Sequence, residues 1–346
     1  MGEPPCDLIT AEHALDRLEA ELATELPAHV RAFAAAYAAD TASPPAPAIA
    51  RRPGSLVQAR RGLEHPLLAD RALALVRLLA PLAIEDDPAV AAARDGERTW
   101  ANYDRLMAAR DRAAGTSAIE LLQHLHGASA VAAPSEWPAV IAGWSEPCEP
   151  IANVFVERAW RDLAMLHGLR GTCRIVRAEV RPRAFIVEPG REVIVVIGAV
   201  ATPVARFTAL HELGHAVAAL AVPGVLPRVV DEAAAAYIAR ALEVEGALDL
   251  AWFTPLAGAA RDRRRQLAAA LAAVEQGGPR GPLAHPPWAL WYDPGAQAAY
   301  GAAEAIAERW WTTLGASPDP GAFARVLAEE RAAIDRIIGA LPGTRA

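Results

Sequence analysis

The chain has 346 residues, 53% of them hydrophobic, with a formal net charge of −7 and a pI of about 5.8. That length and apolar content suit a large buried core, and the acidic balance argues against a nucleic-acid partner, because phosphate binding needs a basic face. Three widely spaced cysteines, Cys6, Cys148 and Cys173, lack any CxxC spacing and argue against a disulfide framework or a cysteine-based metal site.

The first stretch, MGEPPCDLITAEH, carries neither a basic n-region nor an apolar h-region, and Arg, Glu or Pro interrupts the long apolar runs. A cytoplasmic protein with no membrane partner is therefore expected. Helices separated by breakers are predicted over 10–26, 28–40, 55–64, 67–83, 86–112 and 117–126. Ser117 and Glu120 form a capping-box pattern at the start of the last. The Pro-rich segment ASPPAPAIARRPGS (42–55) predicts an extended linker, and 127–150 reads as a second irregular region. The division that follows is an N-terminal helical region, 1–149, and a second domain, 150–346. His124 and His126 in QHLHG sit at i and i+2, which do not face each other on a helix, so they read as a helix end. The cluster Arg261, Arg263, Arg264 and Arg265 reads as a solvated helix face.

From 151 the texture changes. A helix over 153–168 leads into CRIVRAEV and RAFIVEPGREVIVVIG, the strand-like stretch of the sequence. The EPGR turn (188–191) predicts an antiparallel hairpin or a three-stranded meander, which makes the fold class α+β and predominantly helical. A helix through HELGH follows at once, then a break at VPGVLP (222–227) and the helix VVDEAAAAYIARALEVE. Beyond these the pattern predicts helix 256–275, a Gly/Pro loop at 277–288, and helices 295–313 and 320–340. No internal repeat is present, which argues against a solenoid.

The chemistry concentrates in TPVARFTALHELGHAVAAL (202–220), read as an amphipathic helix with Thr202 as its cap and Pro203 at its first position. Phe207, His211, Gly214, His215 and Ala218 share one face. His211 and His215 are one turn apart, so two imidazoles aim at a common point, as a tetrahedral zinc requires of two ligands. Glu212 sits close enough to reach a water there without binding the metal itself, the place of a general base. A third protein ligand is expected from the pair Asp231-Glu232 at the start of the next helix. Glu232 is the natural choice and Asp231 its alternative. The small residues Ala233 to Ala236 would let the two helices approach closely.

His211-Glu212-xx-His215 followed by Glu232 resembles the gluzincin group of zinc metallopeptidases, over roughly 170–245, about a fifth of the chain. RFTALHELGHA followed by DEAAAAYIARAL also resembles the ImmA/IrrE-like branch of cytoplasmic metallopeptidases and, less closely, the core of oligopeptidases. The thermolysin-like Asp four residues after the ligand Glu is Ala236 here, and no GxMEN motif occurs. The resemblance implies a zincin-like core, a Zn²⁺ held by His211, His215 and Glu232, and Glu212 as the base that activates water for peptide hydrolysis. It also implies a side-chain donor to the oxyanion. Tyr300 is the choice, with Tyr292 and His285 as alternatives, whereas Tyr237 lies about 140° around its helix from Glu232 and should point elsewhere. The strand 192–198 is expected beside the cleft, able to bind substrate backbone by strand addition. The expected function is a zinc metallopeptidase acting on a peptide or protein substrate. Its alternatives are a regulatory protease specific for one partner protein and a non-catalytic helical interaction protein with a metal-binding core.

Overall fold

The computed structural model describes residues 7–42, 44–84, 153–198, 203–244, 294–316 and 318–340, with isolated positions between 87 and 109. The expectations for most of 86–112, for 117–126, 127–150 and 256–275, for the 277–288 loop, for the 149/150 boundary and for Thr202, His285 and Tyr292 lie outside those residues.

Helix α1 (Leu8–Ala39) is a single element where the sequence predicted two. Pro27 lies inside it, at a cost of about 3 kcal/mol for the lost hydrogen bond and the ring clash. The apolar stripe nevertheless runs through the proline, because each half is anchored in a different cluster. Leu15, Leu18 and Leu22 pack with α3 (Pro53–Gly62) and α4 (Ala69–Ala83), while Phe33, Ala34 and Tyr37 pack on the sheet. Tertiary burial on both sides of the proline outweighs the local penalty. The Pro-rich segment read as a linker contains a short helix, α2 (Ala48–Arg51). Its Ile49 and Ala50 are buried, and the Ile49 N–H donates to Glu25 Oε2 at 3.1 Å.

Helix α5 (Asn153–Leu166) leads to β1 (Thr172–Arg177), β2 (Arg183–Glu188) and β3 (Glu192–Ile197). The sheet is mixed and its order is β1-β3-β2. The predicted β2–β3 hairpin is present, with Ala184 opposite Val195 and Phe185 opposite Ile194. The predicted antiparallel meander is not: β1 runs parallel to β3, which takes the centre. The reason lies in the residues. Val193, Val195 and Ile197 enter the main core on one face, and Ile194 and Val196 meet Phe33, Tyr37 and Phe185 on the other. A strand apolar on both faces gains most from the middle of the sheet, and TCRIVR, which places Arg174 and Arg177 in β1, is left at an edge.

Helix α6 (Pro203–Ala221), with HELGH in its middle, packs on β2 and β3 and against α7 (Arg228–Val244). The amphipathic reading needs correction here: between Thr208 and Leu220 every residue is buried except His215, so the helix is a core helix on nearly all faces. Gly224, with φ of +89°, turns the chain between α6 and α7. Helix α8 (Pro294–Leu314) packs on α7, and α9 (Pro320–Ala340) touches α6, α7 and α8. Among the described residues no helix is long and apolar enough to cross a membrane.

Candidate metal centre

The α6–α7 contact is close because its residues are small. A Cβ added at Gly214 would stand 2.5 Å from the Ala235 Cα and 2.9 Å from its carbonyl oxygen, so only glycine lets the two backbones meet there. Ala233, Ala234 and Ala235 are fully buried, as the sequence anticipated for a close pair. This approach carries the start of α7 to the middle of α6.

The result is that His211, His215 and Glu232 converge. One ligand atom from each lies within 4.8 Å of the others. Glu232 Oε2 stands 3.0 Å from His211 Nε2 and 3.8 Å from His215 Nε2. Two donors about 2.1 Å from a tetrahedral ion would be about 3.4 Å apart, so the observed separations bracket what one metal needs. The imidazoles meet edge to face, 4.8 Å between centroids, and each histidine side chain keeps about a tenth of its exposure (11% and 12%). These three residues could hold a metal ion.

Asp231, the alternative third ligand, takes a different place. Its Oδ2 lies 3.0 Å from His215 Nδ1, the ring nitrogen away from Glu232. The contact is short but not aligned as a hydrogen bond, so it acts mainly through charge. A carboxylate behind a ligating histidine fixes the ring and raises its basicity. Burial opposes the charged form of His215, yet the Asp231 carboxylate, followed by Glu232 and Glu212, pushes its pKa up to about 10. Burial likewise opposes ionisation of Glu232. The hydrogen bond from His211 and the charges of His215, His211 and Arg228 overcome it and hold the carboxyl well below the usual range. Both directions describe one pairing: without a metal, a proton on His215 balances the buried carboxylates.

Glu212 is buried beside the cluster, and its Oε2 accepts the backbone N–H of Ala184 at 2.6 Å. The strand at the site is therefore β2 and not the predicted 192–198, which is paired on both sides and has no free edge. Tyr300 is buried on α8 with its ring 5.4 Å from the Arg228 guanidinium, and the Nε of Arg228 is 3.7 Å from Glu232 Oε1. Tyr300 thus borders the cluster through Arg228. Tyr237 points away, as expected: its hydroxyl donates to the Gly315 carbonyl at 2.8 Å and its ring stacks on Phe323. Arg228 and Ala184 were not anticipated. Arg228 was legible as the residue one turn before Glu232, whereas Ala184 depends on sheet order.

No protein-family model matches the chain, and neither curated proteins nor solved structures offer a match to it.

Proposed function

We propose that the protein is a zinc-dependent metallopeptidase. The observation that carries this reading is the convergence of His211, His215 and Glu232, with Glu212 alongside and bonded to the Ala184 N–H. Two imidazoles and one carboxylate that leave a position open are a donor set suited to catalytic zinc. A zinc ion there would supply Lewis acidity, acidifying a water and polarising the scissile carbonyl.

The chain's own groups do the rest. Glu212 takes a proton from the attacking water as the new C–O bond forms and gives it to the amine as the C–N bond breaks. Its hydrogen bond to Ala184 fixes one carboxylate oxygen, and the other is the one we assign to that transfer. Tyr300 is the donor we assign to the oxyanion. Ala184 turns its N–H away from β3, so the outer edge of β2 faces Glu212 and is the place for an extended substrate to pair by backbone hydrogen bonds. Such pairing favours extended peptides with little demand on side chains.

Metal content measured by inductively coupled plasma mass spectrometry tests the reading, on wild type beside His215→Ala, Glu232→Ala and Glu212→Gln. The expected result is about one zinc per chain in wild type and Glu212→Gln, lost from the two ligand variants, with hydrolysis of a peptide library by wild type alone. A wild-type protein that neither contains nor takes up zinc would overturn it. Zinc binding without hydrolysis of any peptide or protein would leave a metal-holding interaction protein instead.

A further inference from the structure

Arg228 is the first residue of α7 and stands four before Glu232, so the two share one helix face. A cation at a helix N-terminus opposes the helix dipole, at a cost of about 0.3–1 kcal/mol, so helix stability does not explain its presence. Nor does solvation, since its side chain is only 17% exposed. What it does have is a specific relation to the carboxylate. The two oxygens of Glu232 have different neighbours: Oε2 faces both histidine nitrogens, whereas Oε1 lies 3.7 Å from Arg228 Nε. On its other side the guanidinium lies over the Tyr300 ring, brought by α8.

We propose that Arg228 is a positioning residue that keeps Glu232 a one-oxygen ligand, and that the ring of Tyr300 holds Arg228 in place. The inference rests on the metal centre of the preceding section. A carboxylate with no competing cation can turn both oxygens to a metal and fill the position an incoming water needs. A guanidinium beside Oε1 makes that rotation unfavourable, because it would draw the carboxylate oxygen away from a buried cation. The device thus preserves the open position through a residue that never touches the metal.

Cobalt substitution provides the test, because the visible bands of Co²⁺ are strong in a four-coordinate site and weak in a five-coordinate one. Wild type and Arg228→Lys, which keeps the charge, are expected to give the strong spectrum at full cobalt occupancy. Arg228→Met is expected to lose about half the band intensity or more as Oε1 joins the ligands. Tyr300→Phe retains the ring and should match wild type, whereas Tyr300→Ala should move toward Arg228→Met. That pair decides the matter if Arg228→Met fails to fold. Identical spectra for wild type, Arg228→Met and Tyr300→Ala would overturn the proposal while leaving the metal centre intact. Failure of wild type to take up cobalt would instead remove the metal centre on which it rests.

Discussion

The N-terminal helical cluster and the α6–α7 pair bury their residues by opposite means. In the former, Leu15, Leu18, Leu22, Ile49, Leu75 and Leu79 fill the interior, and charged pairs such as Arg71 with Asp16 and Glu19 lie at its surface, Arg77 being the buried exception through its pair with Asp335 of α9. In the latter, the contact surface is glycine and alanine, and charge is inside. Of the buried polar residues among those described, His167, Thr208, His211, Glu212, Glu232 and Glu304 belong to the C-terminal part and Ser55 to the N-terminal one. Large side chains make stability from area. Small ones give up area so that charged groups can be brought together, which is what a reactive site requires.

The largest effect should come from a change that spares stability. Glu212→Gln keeps the shape of the side chain and its bond to Ala184, so thermal stability and metal content should remain near wild type while kcat falls about 10²- to 10⁴-fold. Leu15→Ala, at a fully buried position, should do the reverse. It should cost about 2–5 kcal/mol in denaturant unfolding and leave the metal stoichiometry of the folded protein unchanged. If Leu15→Ala altered the metal centre, the two regions would not be separable in this way.

A buried histidine gives the C-terminal core a pH dependence. His167 is 6% exposed and packs against Phe323, and burial lowers its pKa from 6.5 to about 4. The folded protein therefore binds fewer protons than the unfolded chain between those values. Its contribution is fully present above pH 6.5 and is lost as pH falls to about 4, about 3 kcal/mol in all. His167→Leu should remove that decline, seen as the difference between the two unfolding free energies across the interval. Parallel curves for the two proteins would refute it.

Gly214→Ala tests the close approach directly. Alanine in a helix interior ordinarily gains about 1 kcal/mol over glycine. Here the added Cβ meets backbone that cannot rotate away, and overpacking costs about 1–3 kcal/mol, so the net change should be destabilising. Because α7 must shift to relieve the clash, metal affinity should fall as well. A gain in stability with unchanged metal affinity would show that the helices do not need this contact.

Metal uptake should also depend on pH. His215 must give up the proton on Nε2 to ligate, and the Asp231 carboxylate beside Nδ1 keeps the ring charged up to a pH of about 10. Affinity for zinc should therefore rise with pH, about tenfold per unit below that value, with proton release measurable by calorimetry in buffers of different ionisation enthalpy. Asp231→Asn removes the largest opposing charge, so the dependence should end at lower pH.

The cluster of His211, His215 and Glu232 was legible because helical spacing is a local rule: i, i+4 places His211 over His215 wherever the helix goes. The small residues after Glu232 announced the close contact for the same reason. Sheet order was not legible, since β3 gains the centre only once α1 covers its second face, and Phe33 and Tyr37 are more than 150 residues from it in the chain. Glu212 was singled out but not its partner, because Ala184 meets Glu212 only after that order is set. Pro27 misled for a related reason. Its cost is local and visible, whereas the two clusters that outweigh it are assembled from distant segments.

The smallest effect belongs to the N-terminal surface, where geometry alone would suggest a large one. Arg71 approaches Asp16 at 2.6 Å and Glu19 at 2.7 Å, closer than either histidine approaches Glu232. Yet its side chain is 36% exposed and those of its partners 55% and 42%, so water already solvates all three charges. Distance decides how strongly charges attract, but burial decides what the attraction replaces. Arg71→Met should therefore cost about 0–1 kcal/mol, and raising the salt to about 1 M, where the screening length is about 3 Å, should erase the difference from wild type. A loss that is large and insensitive to salt would mean that Arg71 acts through its buried stem, and that the N-terminal cluster, too, depends on a charged residue for its packing.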